Sequence, residues 1–340
     1  MPRDRYPPRG GVRMGPHLRP GPVGTRPNEI AGSYPMSRKK SSLRNVNGIL
    51  PLDKPVGLSS NEALQGVKRL YRARKAGHTG SLDPIASGLL LICMGEATKV
   101  STYLLNADKR YHTMARLGVI TTTGDVEGEV VERRPVGEYS AARLEEVLAR
   151  FRGEIEQIPP MYSAVKRNGT RLYELARQGV EVAREPRTVH IHALELLAHD
   201  AQTLTLDIRC SKGTYIRTLV EDIAEGLGCG AHVCALRRTA VGPYAEADML
   251  AMEELEARAQ QGFAELDGLL SPMDSALTLW PALKLTRDMA YYARSGQAIL
   301  VPGAPPMGWV RIYDERDAFL GVGRILDDGR MAPKRLMTAG

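Results

Sequence analysis

Apolar and polar residues follow several short patterns along this chain, each with its own period. Val46–Leu52 is a mostly apolar run of strand length, and so is the stretch Leu89–Met94. Between them, Ser59-Ser60-Asn61-Glu62 has the Ser-x-x-Glu spacing of a capping box, in which each side chain bonds the other residue's backbone N–H. That predicts a helix running to about Tyr71. Leu144, Val147, Leu148 and Phe151 recur at helical spacing within Ser140–Phe151. Thr203–Ile208 alternates with a period of two, as a half-buried strand does. It runs into Lys212-Gly213-Thr214, which opens a helix with Leu219 and Ile223 inward. The elements come in irregular order, without a strand–helix–strand rhythm and without an internal repeat. The expectation is an α+β fold on a largely antiparallel, mixed sheet.

Composition changes this picture at both ends. Residues 1–44 are rich in Pro, Gly and Arg, with ten Lys or Arg against two Asp or Glu. Such a segment buries too little apolar surface to offset its ordering entropy, so a disordered basic tail is expected. The whole chain carries +7, so the body beyond the tail is close to neutral, and any nucleic-acid surface on it must be a local patch. A charged helical stretch near Gln260–Ser275 gives way at Ser271-Pro272 to short strand-like runs. These are Gly308–Tyr313 and Phe319–Ile325, followed by the turn Asp327-Asp328-Gly329. The division expected is a tail at 1–44, a main domain at 45–250, a helical linker at 251–280 and a small all-β module at 281–340.

No apolar run reaches the roughly 18 residues of a membrane span, and no apolar stretch follows the basic start as in a signal peptide. The cytoplasm is the expected location. Cys93, Cys210, Cys229 and Cys234 then read as reduced thiols. Cys229, His232 and Cys234 lack the spacing and the partners of a zinc site, so no metal is expected.

The densest motif is Ala76-Gly77-His78-Thr79-Gly80-Ser81-Leu82-Asp83-Pro84-Ile85-Ala86-Ser87-Gly88. Its glycines permit tight turns and close approach of a ligand to the backbone. Taken alone, it reads as a turn in which Asp83 caps a helix begun by Pro84. It also resembles the signature of the bacterial tRNA pseudouridine-55 synthase family, and further blocks match in that family's order. Leu52-Asp53-Lys54-Pro55 precedes it; Gly95–Lys99, Asp108–Tyr111, Pro159–Ala164, Cys210–Arg217, Gly228–His232 and Leu236–Arg238 follow.

The resemblance implies a cofactor-free isomerase acting on uridine 55 in the T loop of tRNA, with Asp83 as the essential residue at the ribose. It also implies that Tyr111 stacks on the base and takes the C5 proton, that Arg217 pairs with Asp83, and that His78, Tyr215 and Leu236 line the uridine pocket; a guanidinium so placed is expected to hold Asp83 ionised through a forked contact. Lys68, Arg69, Arg74 and Lys75 form one candidate RNA-backbone patch; Lys166 and Arg167, on an insertion that could close over the RNA, form a second. The C-terminal module is similar to the small PUA-like RNA-binding domain, expected to touch the acceptor end of the tRNA. A stand-alone monomer without guide RNA is the reading; a guide-dependent relative and a tRNA-folding chaperone are the rivals. In one place the chain departs from the family. Where a Thr-Asp-Thr run is usual, it has Thr121-Thr122-Thr123-Gly124-Asp125, which removes a carboxylate at Thr122.

Overall fold

The computed structural model describes residues 43–338. Most of the expected tail therefore lies outside the described residues. Its last residue does not behave as a tail: the Arg44 N–H donates to the Arg72 carbonyl at 2.7 Å, and its guanidinium pairs with Asp267 over the Phe263 ring.

The chain enters through β1 (Gly48–Lys54) and α1 (Ser60–Leu70). Here the capping box forms as the spacing predicts: Ser59 Oγ accepts from the Glu62 N–H at 3.2 Å, and Glu62 accepts from the Ser59 N–H at 2.8 Å. Next come β2 (Ala76–His78), β3 (Ala86–Met94), the short α2 (Ser101–Leu105) and β4 (Lys109–Leu117). A hairpin of β5 (Val119–Thr121) and β6 (Val130–Arg133) leads to α3 (Ala141–Ala149) and β7 (Gly153–Gln157). The insertion holds a second hairpin, β8 (Lys166–Arg167) with β9 (Thr170–Arg171), then α4 (Leu172–Ala176). The long β10 (Arg187–His199), β11 (Thr203–Cys210), α5 (Ile216–Leu227), β12 (Ala231–Val241) and β13 (Leu250–Ala251) complete the main body.

The main sheet runs β13-β1-β3-β12-β4-β11-β10-β7, with β2 on β3. Only β1–β13 and β3–β12 are parallel pairs, so the sheet is mixed and largely antiparallel. One face packs on α1, α3 and α5 through Val67, Val147, Leu219 and Ile223. β3 explains its own unbroken apolar run: Leu90, Ile92 and Met94 point into that core, while Leu89, Leu91 and Cys93 point into a second core on the other face.

The expected linker at 251–280 holds α6 (Met252–Gln261) and α7 (Phe263–Asp267), and these pack onto the main body. Leu255 and Leu266 are fully buried in the main core, and the Leu266 carbonyl accepts from the buried Tyr71 hydroxyl at 2.8 Å. A charged composition hid this, because two or three inward residues per helix suffice when the partner surface is already apolar.

The C-terminal unit is a four-stranded sheet, β14 (Ala282–Lys284), β15 (Gly308–Tyr313), β16 (Phe319–Ile325) and β17 (Met331–Leu336), in that order. It is β-rich but not all-β: α8 (Arg287–Arg294), capped by Thr286, packs Ala290 and Ala293 into the unit's own core. Val322 and Met337 reach across to Leu89 and Leu91 in the second core, seating the unit behind the main sheet. No helix among the described residues is long and apolar enough to cross a membrane.

Candidate active site

Asp83 lies on the loop between β2 and β3, and no helix follows Pro84, so the helix-cap reading fails. The loop is held from both sides. Ser60 at the start of α1 takes the Leu82 N–H on its hydroxyl at 2.7 Å and gives its own proton to the Leu82 carbonyl at 3.0 Å. From β12, the buried Arg238 donates Nε to the Leu89 carbonyl at 2.7 Å and Nη2 to the Gly80 carbonyl at 3.1 Å. Gly88, with φ +97°, admits this close parallel pairing: a Cβ there would sit 2.3 Å from the Arg238 carbonyl oxygen.

Arg217, only 5% exposed in the first turn of α5, brings Nε to 3.0 Å from Asp83 Oδ2. The expected forked contact is absent. Nη2 donates to the Tyr162 carbonyl at 2.7 Å, and Nη1 donates to the Thr123 carbonyl and lies 3.6 Å from Asp125 Oδ2. With its terminal nitrogens committed to the backbone, the guanidinium meets Asp83 through Nε alone. Asp83 keeps 41% of its side-chain surface, enough for a ligand to reach the carboxylate. Desolvation by the surrounding protein outweighs Arg217 and pushes the Asp83 pKa up; Asp125 adds to the rise, while Lys54 opposes it. The guanidinium thus moderates a rise that burial imposes.

Asp125, buried behind Arg217, accepts from Thr123 Oγ1 and from the Glu127 N–H. Thr122, at the departure from the family pattern, accepts the Glu129 N–H on its hydroxyl at 3.1 Å. It thus closes the β5–β6 loop, and the loop's carboxylate comes from Asp125. Lys54 is fully buried, with Nζ donating to the Pro55 and Leu58 carbonyls at 2.8 and 2.6 Å. Burial lowers its pKa to about 8, with Asp83 opposing.

Tyr111, on β4 opposite Arg238 of β12, is 9% exposed. Burial raises the phenol's pKa, Arg238 pulls it back, and the Asp83 charge reaches it. The Tyr215 backbone is clamped by Gln157, whose side chain takes the Tyr215 N–H at 2.7 Å and donates to its carbonyl at 3.0 Å. Burial raises this phenol too, and the charges of Arg217 and Asp83 both act on it. Leu236 and Ile85 line a cavity of about 610 Å³ with Ser87, His112 and Glu127 on its walls. His78 is half-buried with no hydrogen-bond partner for Nδ1, and burial and Arg238 lower its pKa.

The cationic candidates are scattered. Arg69, Arg74 and Lys75 are exposed around the end of α1 and the approach to β2, with Lys68 half-buried. Lys166 and Arg167 are exposed on the β8–β9 hairpin, where Arg167 bends back to the Ala183 carbonyl. Sequence reasoning missed Asp125, Arg238, Lys54 and Gln157 as parts of the site. Arg238 and Lys54 do fall in blocks that carried the resemblance; Gln157 had no signal, because its partner Tyr215 is remote in sequence.

Comparison with known proteins gives the family. Residues 68–216 match the TruB family pseudouridylate synthase N-terminal domain. Residues 217–278 match the tRNA pseudouridylate synthase B C-terminal domain, and 281–337 the pseudouridine synthase II TruB C-terminal domain. The chain is 56% identical over 294 residues to a tRNA pseudouridine synthase B of Nitrosococcus oceani, covering 86% of this chain and 96% of the relative. It is 54% identical over 303 residues to that of Pseudomonas aeruginosa, covering 89% and 99%. Among solved structures, a chain of a Cbf5-Nop10-Gar1 complex superposes with TM-score 0.67 at 25% identity, covering 85% of this chain and 84% of that one. Because these matches span nearly the whole described fold and include the loop that presents Asp83, the chain belongs to the TruB family of pseudouridylate synthases.

Proposed function

We propose that this pseudouridine synthase isomerises uridine 55 in the T loop of tRNA, alone and without guide RNA or cofactor. The carrying observation is an accessible carboxylate, Asp83, fixed by Arg217 at 3.0 Å on a loop pinned by Arg238. The tRNA substrate is supported by relatives at 54–56% identity named tRNA pseudouridine synthase B, which the chain matches almost end to end.

The reaction breaks the N-glycosidic bond, turns the uracil and rejoins it through C5, whose proton leaves. Asp83 acts at the ribose in its ionised form. Tyr111 supplies a flat face for the base, and its hydroxyl relays the C5 proton. A phenol held neutral by burial passes a proton through rather than storing one. His78, Tyr215 and Leu236 complete the pocket. Extruding the nucleotide costs roughly a few kcal/mol. Phosphate contacts from Lys68, Arg69, Arg74, Lys75, Lys166 and Arg167 offset that cost. The PUA-like C-terminal unit reaches toward the acceptor end, and the enzyme works as a monomer in the cytoplasm. A tRNA-folding role would rest on binding alone and so survive loss of Asp83.

The purified protein incubated with an unmodified tRNA transcript should form pseudouridine at position 55 and nowhere else. No product, product at another position, or a requirement for a second RNA would sink this reading. Tyr111→Phe keeps the stacking face and removes the oxygen, so tRNA affinity should persist while single-turnover rate falls on the order of 100-fold, about 2.7 kcal/mol. A Phe variant with the wild-type rate would leave Tyr111 a stacking role only.

A further inference from the structure

Beside α5 lies a cavity of about 470 Å³ walled by Thr122, Thr123, Met161, Tyr162, Thr218 and Glu221. Glu221 follows Arg217 by one helical turn on α5, so the two side chains are neighbours on one face. The loop carrying Thr123 and Asp125 runs against both: a Cβ on Gly124 would lie 2.4 Å from Glu221 Oε1 and 3.5 Å from Arg217 Cβ. Both carbonyls that anchor the guanidinium, those of Thr123 and Tyr162, belong to residues in the wall of this cavity.

We propose that Glu221 is a positioning residue for the Arg217–Asp83 pair, leaving the guanidinium on Asp83 only while its own carboxyl is neutral. The guanidinium already lies 3.0 Å from Asp83 Oδ2 and 3.6 Å from Asp125 Oδ2, and Glu221 stands one helical turn along α5 from it. Ionising Glu221 adds a negative charge one turn from Arg217. It draws the guanidinium away and raises the energy of the Asp83 anion.

The charged groups acting on Glu221 are Arg217, Asp222 and Glu225 on its own helix and Asp125 from the loop, with Arg184 and Glu181 across the cavity. Burial pushes its pKa up to about 7, the three carboxyl neighbours add to the rise, and Arg217 opposes it. The switch therefore falls near neutral pH.

This inference rests on the proposed uridine isomerisation, and the test separates the two. Single-turnover rates at saturating enzyme would be followed from about pH 6 to about pH 8.5 for wild type, Glu221→Gln and Glu221→Ala. The wild-type rate should fall on the order of threefold to tenfold over that range, the scale of one partly screened charge near another. Both neutral variants should lose that fall, so that their rates relative to wild type climb with pH. A purely structural role would lower the variants' rates equally at every pH. A wild-type rate that stays level overturns the proposal without any variant, as does a Gln profile parallel to a falling wild-type one. A wild type that forms no pseudouridine at all defeats the proposed function instead.

Discussion

Asp83→Asn should lower the single-turnover rate of pseudouridine formation by at least about 1000-fold, roughly 4 kcal/mol of barrier, while tRNA affinity stays within about twofold. The amide matches the carboxylate in size but can neither attack the ribose nor remove a proton from it. The fold should survive, because Arg217 keeps Asp125 and the Thr123 and Tyr162 carbonyls, and Arg238 and Ser60 still pin the loop. Stability should respond to pH in a definite direction. The folded pKa of Asp83 is raised above its ordinary 3.8, so the group's contribution is fully present below that value and lost as pH rises through the folded one. Asn removes that dependence, so at neutral pH the variant should melt no lower than wild type. Pseudouridine mapping with thermal melts reads both outcomes; an Asn variant within tenfold of the wild-type rate would take Asp83 out of the mechanism.

Arg217→Ala should damage both rate and stability. It leaves the Asp83 and Asp125 carboxylates without their shared cation and two carbonyls without a donor, in a place where the replaced side chain is 5% exposed. Removing one partner of such a buried cluster costs about 3–5 kcal/mol. Arg217→Lys restores the charge but cannot point one N–H at Asp83 while serving two carbonyls, so it should recover Asp83 ionisation better than orientation. The expected order of turnover is wild type, Lys, Ala. The Ala defect should ease as pH rises, because Asp83 then ionises without its cation. A role in gripping RNA phosphate would instead weaken binding and leave saturated turnover alone. Its near-complete burial argues against that. Should both variants reach the wild-type plateau at every pH, the partnership with Asp83 is wrong.

Much of the secondary structure was legible in the sequence. The capping box at Ser59 and Glu62, the alternation of Thr203–Ile208 and the inward Leu219 and Ile223 all depend on neighbours a few residues away, and such spacing is set by the helical and strand repeats themselves. Asp83, Tyr111 and Arg217 were legible through the resemblance, because the matching blocks mark the residues and not their arrangement. What joins those blocks was not. Leu255 and Leu266 look like sparse apolar residues in charged helices until β1, β13 and Tyr71 supply the surface they cover. Asp125 reads as a turn residue until α5 carries Arg217 to it, and Arg238 reads as one more basic residue until the β3–β12 pairing drives it into the core beneath the Asp83 loop. These contacts join positions about ninety to two hundred residues apart. The order of strands in the sheet decides them, and that order is chosen by how all the apolar faces close together, not by any local spacing.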